Sequence, residues 1–143
     1  MKIPLKNAAE LDAMRESCRM TASVLEQVAA AVQPGVTTGE LDALTRRLIA
    51  GMNAKPSFLG YRGYPGAICI SINDEVIHGI PGQRVVMPGD VVSLDVGVYY
   101  KGFHGDSATT VTVGVTDPDV IRLVETTRRA LEAAVAAVRP GCR

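Results

Sequence analysis

The chain has only three cysteines, Cys18, Cys69 and Cys142, with no Cys-x-x-Cys spacing among them. An odd number so placed argues against a disulfide framework and suits free thiols in a reducing compartment, so a cytoplasmic protein is expected. Surplus charge of either sign is missing as well, since 15 basic residues balance 15 acidic ones. No basic patch is then available to hold a phosphate backbone or anionic lipid, which argues against nucleic acid and membrane surfaces as partners. Nowhere do about eighteen apolar residues run together, as a bilayer span requires. The opening stretch MKIPLKNAAELDAMRES scatters charges where a secretory signal would carry an apolar segment. Histidine is scarce too: His78 and His104 are the only two.

What is present is apolar and periodic. Hydrophobic residues fill 47% of 143 positions, enough for one domain over residues 1–143 with a real core. Asn7 followed by Glu10 is a capping box that opens a helix, and Leu11, Met14, Cys18, Leu25, Val28 and Val32 keep helical spacing up to Gln33-Pro34-Gly35. Thr37 with Glu40 opens a second helix whose buried stripe is Leu41, Leu44, Leu48, Ile49 and Met52. From Asn53 the texture changes to loops rich in glycine and proline. Within them Ala67–Ile72 reads as a short strand, Asn73-Asp74-Glu75 as a turn and Val76–His78 as the returning strand. Asp117 before Pro118 caps a third helix with the stripe Ile121, Val124, Leu131, Val135 and Val138.

Between these elements, Val91–Val113 reads as two antiparallel strands around Tyr100-Lys101-Gly102-Phe103. With Lys101 and Gly102 at the turn centre, Gly97 faces Asp106 and Asp95 faces Ala108. The two aspartates then lie diagonally on one face, about 7–8 Å apart at the backbone. Val92, Leu94, Val96 and Val98 point the other way, toward a core. Carboxylates this near repel one another, so either one is held protonated or a divalent cation sits between them. The alternative is a pair of solvated acids on an open sheet face.

A repeat is also visible. Leu25-Glu26-Gln27-Val28-Ala29-Ala30-Ala31-Val32-Gln33-Pro34-Gly35 matches Leu131-Glu132-Ala133-Ala134-Val135-Ala136-Ala137-Val138-Arg139-Pro140-Gly141 at a constant offset of 106 residues. If one half is helix, helix and strands, a second copy is expected to begin where the sequence stops.

The segments LGYRGYPGAICISINDEVIHGIPG (Leu59–Gly82), DVVSLDVGV (Asp90–Val98) and GFHGDSATT (Gly102–Thr110) are together specific. Through them nearly the whole chain resembles the type I methionine aminopeptidases. The resemblance implies an α/β pita-bread fold, of which this chain holds the N-terminal half, and a divalent-metal site for cobalt, iron, manganese or zinc. It implies that Asp95 and Asp106 are metal ligands, that His78 of the HGIP motif contacts the substrate and the tetrahedral intermediate, and that Phe58, Tyr61, Tyr64 and Cys69 line the methionine pocket. The implied reaction is hydrolysis of the first peptide bond of peptides and nascent chains that begin with methionine.

The match has a gap. A further ligand histidine, two ligand glutamates and a second substrate histidine belong to the family's second half and have no counterpart here. The chain is therefore expected to be a truncated, catalytically incomplete copy that holds metal weakly. His104 shares the face of Asp106, but the resemblance gives it no ligand role. Three alternatives stand beside this reading: a non-catalytic module binding peptides or proteins, self-association through the surface of a half-fold, and a relative that cleaves at proline.

Overall fold

In the computed structural model, which describes residues 3–142, both capping boxes form as the sequence predicts. Asn7 Oδ1 accepts from the Glu10 amide at 3.0 Å while the Asn7 amide donates to Glu10 Oε2 at 2.8 Å, opening α1 (Ala8–Ala31). The Thr37 amide likewise donates to Glu40 Oε2 at 2.8 Å at the head of α2 (Thr38–Gly51). Each box satisfies amides that a helix start leaves without partners.

The strands are β1 (Lys55–Pro56), β2 (Ile68–Ile72), β3 (Val91–Tyr100) and β4 (Phe103–Thr112). All pair antiparallel with β3: β4 along its whole length, β2 along Val92–Val96 and β1 at Val98–Tyr99. The β3–β4 turn has positive φ at both central residues, 47° at Lys101 and 87° at Gly102, the pattern of tight hairpins whose twist matches their strands. Val92, Leu94, Val96 and Val98 are fully buried and meet Ile68, Ile70 and Ile72 of β2, Val24 and Val28 of α1, and Leu41 and Ile49 of α2. At about 25 cal/mol per Å² of apolar surface removed from water, this layer is the main source of stability.

Two expectations fail on α1 and β2. Leu11 and Cys18 of the expected α1 stripe are exposed; the helix instead buries Ser17 and Thr21 against the hairpin. Ser17 Oγ donates to the Val98 carbonyl at 2.7 Å and accepts from the Gly105 amide at 2.8 Å, and Thr21 Oγ1 donates to the Ser17 carbonyl at 2.9 Å. Gly105 brings the β4 backbone so near that only small side chains fit between, and their hydroxyls satisfy the strand's polar groups. The return strand expected over Val76–His78 does not form. His78 has φ +60°, outside the extended region, and Val76 and Ile77 stand in solvent. The partners that strand would have given β2 come instead from Gly79 O, 3.0 Å from the Ile70 amide, and from Glu75 Oε2, 2.9 Å from the Ile72 amide.

The third helix, α3 (Pro118–Ala137), is capped by Asp117, whose Oδ1 accepts from the Asp119 amide at 2.8 Å. None of its residues is buried, and Ile121, Leu131, Val135 and Val138 of its stripe face solvent. The repeat is nonetheless structural at its end. Val32 and Val138 both cap their helices through amide bonds of 3.2 Å to Ala29 O and Val135 O, and Gly35 and Gly141 are both left-handed, at φ 92° and 84°. Among the described residues no helix is long and apolar enough to cross a membrane.

Candidate active site

The hairpin register places the two aspartates as the sequence predicts: Asp95 opposite Ala108 and Asp106 opposite Gly97, hence diagonal on one face. Cys69 of β2 lies directly across from Asp95 on the other flank of β3. One face of three adjacent strands therefore gathers a thiol and two carboxyls.

The negative charge of this face is poorly compensated by the chain's own groups. Asp95 Oδ1 is buried and, among the described residues, has no hydrogen-bond partner. Its carboxyl is held above the usual carboxylate range, first by burial and then by the charge and proximity of Asp106, with His78 offsetting a little of this. The Cys69 thiol is also pushed up, chiefly by burial. An orphaned carboxylate oxygen beside a second carboxylate is a donor set that suits a divalent cation. The set is small: among the described residues no group of three or more His, Cys, Asp or Glu residues gathers as a metal cluster.

Beside the carboxyls lies a cleft of about 550 Å³ whose lining includes Phe58, Tyr61, Tyr64, Cys69, His78 and Ile80, and it opens onto Asp95 and Asp106. That volume is in the range of small-molecule sites. The two aspartates, His78 and the four expected pocket residues thus border one hollow. Phe58 reaches it because Gly97 has no side chain: a Cβ there would stand 2.9 Å from the ring. Tyr64 is half-buried, its hydroxyl 2.9 Å from Gly79 O, and burial pushes its ionisation well above the ordinary tyrosine value. Tyr61 is exposed at the mouth, with the Arg62 guanidinium 5.5 Å from its ring centre.

Sequence reasoning misses two supports of this cleft. Asp42 on α2 is buried; its Oδ1 accepts from the Ala67 amide at 2.6 Å and its Oδ2 from Arg46 Nε at 2.6 Å, while Arg46 also donates to Pro65 O at 2.7 Å. Together they pin the end of the tyrosine loop. Their signal was an acid on the apolar side of α2 with an arginine four residues on. The second support is His104. Its Nδ1 lies 2.8 Å from Ser57 Oγ and its ring leans on Tyr99, 4.7 Å between centres. It ties the loop that carries Phe58 to β4.

Metallopeptidase family M24 matches residues 12–143. The sequence is 43% identical over 138 residues to methionine aminopeptidase 1 of Bacillus subtilis, covering 96% of this chain and 56% of that one. It is 40% identical over 139 residues to the human mitochondrial methionine aminopeptidase 1D, covering 97% of this chain and 42% of that one. Among solved structures, the methionine aminopeptidase of Thermotoga maritima superposes with a TM-score of 0.95 at 38% identity, over 99% of this chain and 57% of that one. The prolidase of Pyrococcus furiosus shares the fold, with a TM-score of 0.81 at 21% identity. The chain spans about half the length of curated relatives that it matches, 56% of the Bacillus subtilis and 57% of the Aquifex aeolicus enzyme.

Proposed function

This chain belongs to metallopeptidase family M24 and has the pita-bread fold of its relatives over their N-terminal part, and from that premise we propose that it carries the methionine pocket and two metal-holding carboxylates of a methionyl aminopeptidase. The observation that carries the proposal is the orphaned, buried Asp95 Oδ1 opening, with Asp106, onto the cleft of Phe58, Tyr61, Tyr64 and Cys69.

Asp95 and Asp106 would hold a divalent cation of the cobalt, iron, manganese or zinc kind. When bound, such an ion supplies an activated water and a Lewis acid toward the peptide carbonyl. The chain's own residues do the rest. The aromatic rings and the Cys69 thiol receive an unbranched, polarizable thioether and exclude water from it. His78, which also lines the cleft, would donate to the first peptide carbonyl of a substrate whose side chain fills it. The substrate would be a peptide or nascent chain beginning with methionine. The three free thiols suit a cytoplasmic setting.

Two carboxylates and water hold a transition metal weakly. The chain is expected to bind Mn²⁺ with a dissociation constant no tighter than about 10⁻⁴ M, the range of sites with few charged ligands, and to release no methionine from Met-Ala peptides. Isothermal titration and a free-methionine assay check both; methionine release that disappears in Asp106→Ala would show the two-carboxylate site to be sufficient. The same titration separates the alternative of a non-catalytic binding module. Methionine-peptide binding indifferent to chelator and to Asp106→Ala would favour that module.

The exposed stripe of α3 supports self-association as well. A helix with Ile121, Leu131, Val135 and Val138 in solvent is expected to drive oligomers at micromolar concentration. Velocity sedimentation checks this, and a clean monomer there counts against it.

A further inference from the structure

His78 sits in a segment that apolar packing does not hold. Val76, Ile77 and Ile80 around it are 95%, 62% and 64% exposed, and its own backbone is left-handed at φ +60°, a conformation that costs a non-glycine residue about 1 kcal/mol or more. Something other than burial must fix it, and the fixing point is the next residue. The Gly79 carbonyl accepts from the Ile70 amide of β2 at 3.0 Å and from the Tyr64 hydroxyl at 2.9 Å; the Gly79 amide donates to Ser71 Oγ at 3.1 Å. A Cβ on Gly79 would collide with the Ile70 carbonyl, so the glycine lies flush on the strand.

The hydroxyl in this clasp is shared. Tyr64 Oη lies 2.9 Å from Gly79 O and 3.1 Å from Ile68 O, and a phenol has one hydrogen to divide between two carbonyls. It therefore ties two segments together: the last turn before β2 and the loop that follows it. Its raised ionisation, caused first by burial, keeps it a donor throughout the physiological range.

We infer that Tyr64 is a positioning residue for His78, acting through the Gly79 carbonyl, in addition to being a wall of the methionine pocket. The inference deepens the proposed function, on which the importance of His78 rests. The ring and the hydroxyl have separable tasks. The ring borders the cleft, and the hydroxyl reaches the backbone next to the imidazole.

Tyr64→Phe in the whole chain separates them, because it removes the hydroxyl and keeps the ring. With only two histidines in the sequence, His78 and His104 can each be followed by ¹⁵N-histidine NMR. The expected result is Gly79 amide exchange about tenfold faster, the size of one lost hydrogen bond, together with broadened His78 ring signals and an unchanged His104. Gly79 exchange and His78 signals identical to those of the parent would overturn the inference. A second measurement needs no variant: in the parent chain the Tyr64 hydroxyl proton is expected to exchange far more slowly than that of Tyr61, which is 65% exposed. Equal exchange for the two hydroxyls would also overturn it. Failure of the functional reading looks different. If added methionine shifts neither His78 nor Phe58 while the clasp signatures persist, the peptidase reading falls and the positioning role stands.

Discussion

Gly105→Val is expected to lower the stability of the fold by about 3 kcal/mol or more. A Cβ at Gly105 would overlap Thr21 Oγ1 and approach the Ser17 carbonyl to 2.6 Å, and the latter is backbone within a helix, which cannot swing aside as a side-chain tip can. Relief would require α1 to lift from β4. That breaks the Ser17 bonds to Val98 O and to the Gly105 amide, and it leaves those strand groups buried without partners. Overpacking alone costs about 1–3 kcal/mol, and the lost bonds bring the total to about 3 kcal/mol or more. A domain of this size has about 5–15 kcal/mol in all, so roughly a fifth to three fifths of the margin goes. Gly51→Ala gives the contrast: at the end of α2 a Cβ meets nothing within 4 Å, and the change should stabilise by about 0.5–1 kcal/mol. Urea unfolding of both variants checks the pair. A Gly105→Val protein with a parental midpoint would mean that α1 does not pack on β4 as closely as described.

Gly105 also shows where sequence reading stops. The hairpin was legible because its causes are local: alternation of apolar residues, a turn pair tolerating positive φ, and a register that follows from both. The two capping boxes were legible for the same reason. From that register alone the aspartates could be put on one face. The burial of Ser17 and Thr21 has its cause more than eighty residues away in the chain, in a glycine of β4, and no periodicity in α1 announces it. Leu11 and Cys18 fit the helical pattern better and are exposed.

The Val76–His78 segment failed for a different reason. It is apolar and follows a turn, so it has the composition of a strand, yet the bonds that such a strand would give β2 are made by the residues flanking it, Gly79 and Glu75. Local propensity yielded to a left-handed residue that turns the imidazole toward the cleft. Departures of this kind concentrate at functional sites, where strain is retained for placement. The Asp42–Arg46 pair and the His104–Ser57 bond belong to the same class. Each pins a loop of the cleft through an atom that only the folded chain brings near.

Asp95→Asn is expected to make the metal-free chain more stable and to abolish its response to metal. The sign follows from the carboxyl's environment. In the folded chain burial and Asp106 raise its pKa above the unfolded value of about 3.9. A raised acid contributes stability that is complete below the unfolded pKa and is lost as pH rises through the folded one. The ionised carboxyl is therefore the form the fold disfavours, with Oδ1 unpartnered. Asparagine is neutral, nearly the same shape, and offers amide hydrogens to Asp106, which already lies within hydrogen-bonding reach of residue 95. Relief of the unsatisfied charge should stabilise by about 1 kcal/mol, roughly 4 °C in Tm, with chelator present. The advantage should shrink as pH falls through the raised pKa of the folded chain, where the parent's carboxyl takes up its proton. Metal reverses the order. Mn²⁺ at about ten times its dissociation constant stabilises the parent by about 1.4 kcal/mol and leaves Asp95→Asn unmoved, because an amide oxygen is a poor substitute for a carboxylate ligand. Thermal melts at pH 4 and pH 7, with chelator and with Mn²⁺, give all four values. A variant less stable than the parent in chelator, and a parent indifferent to Mn²⁺, would remove the reason for two carboxyls to share this face.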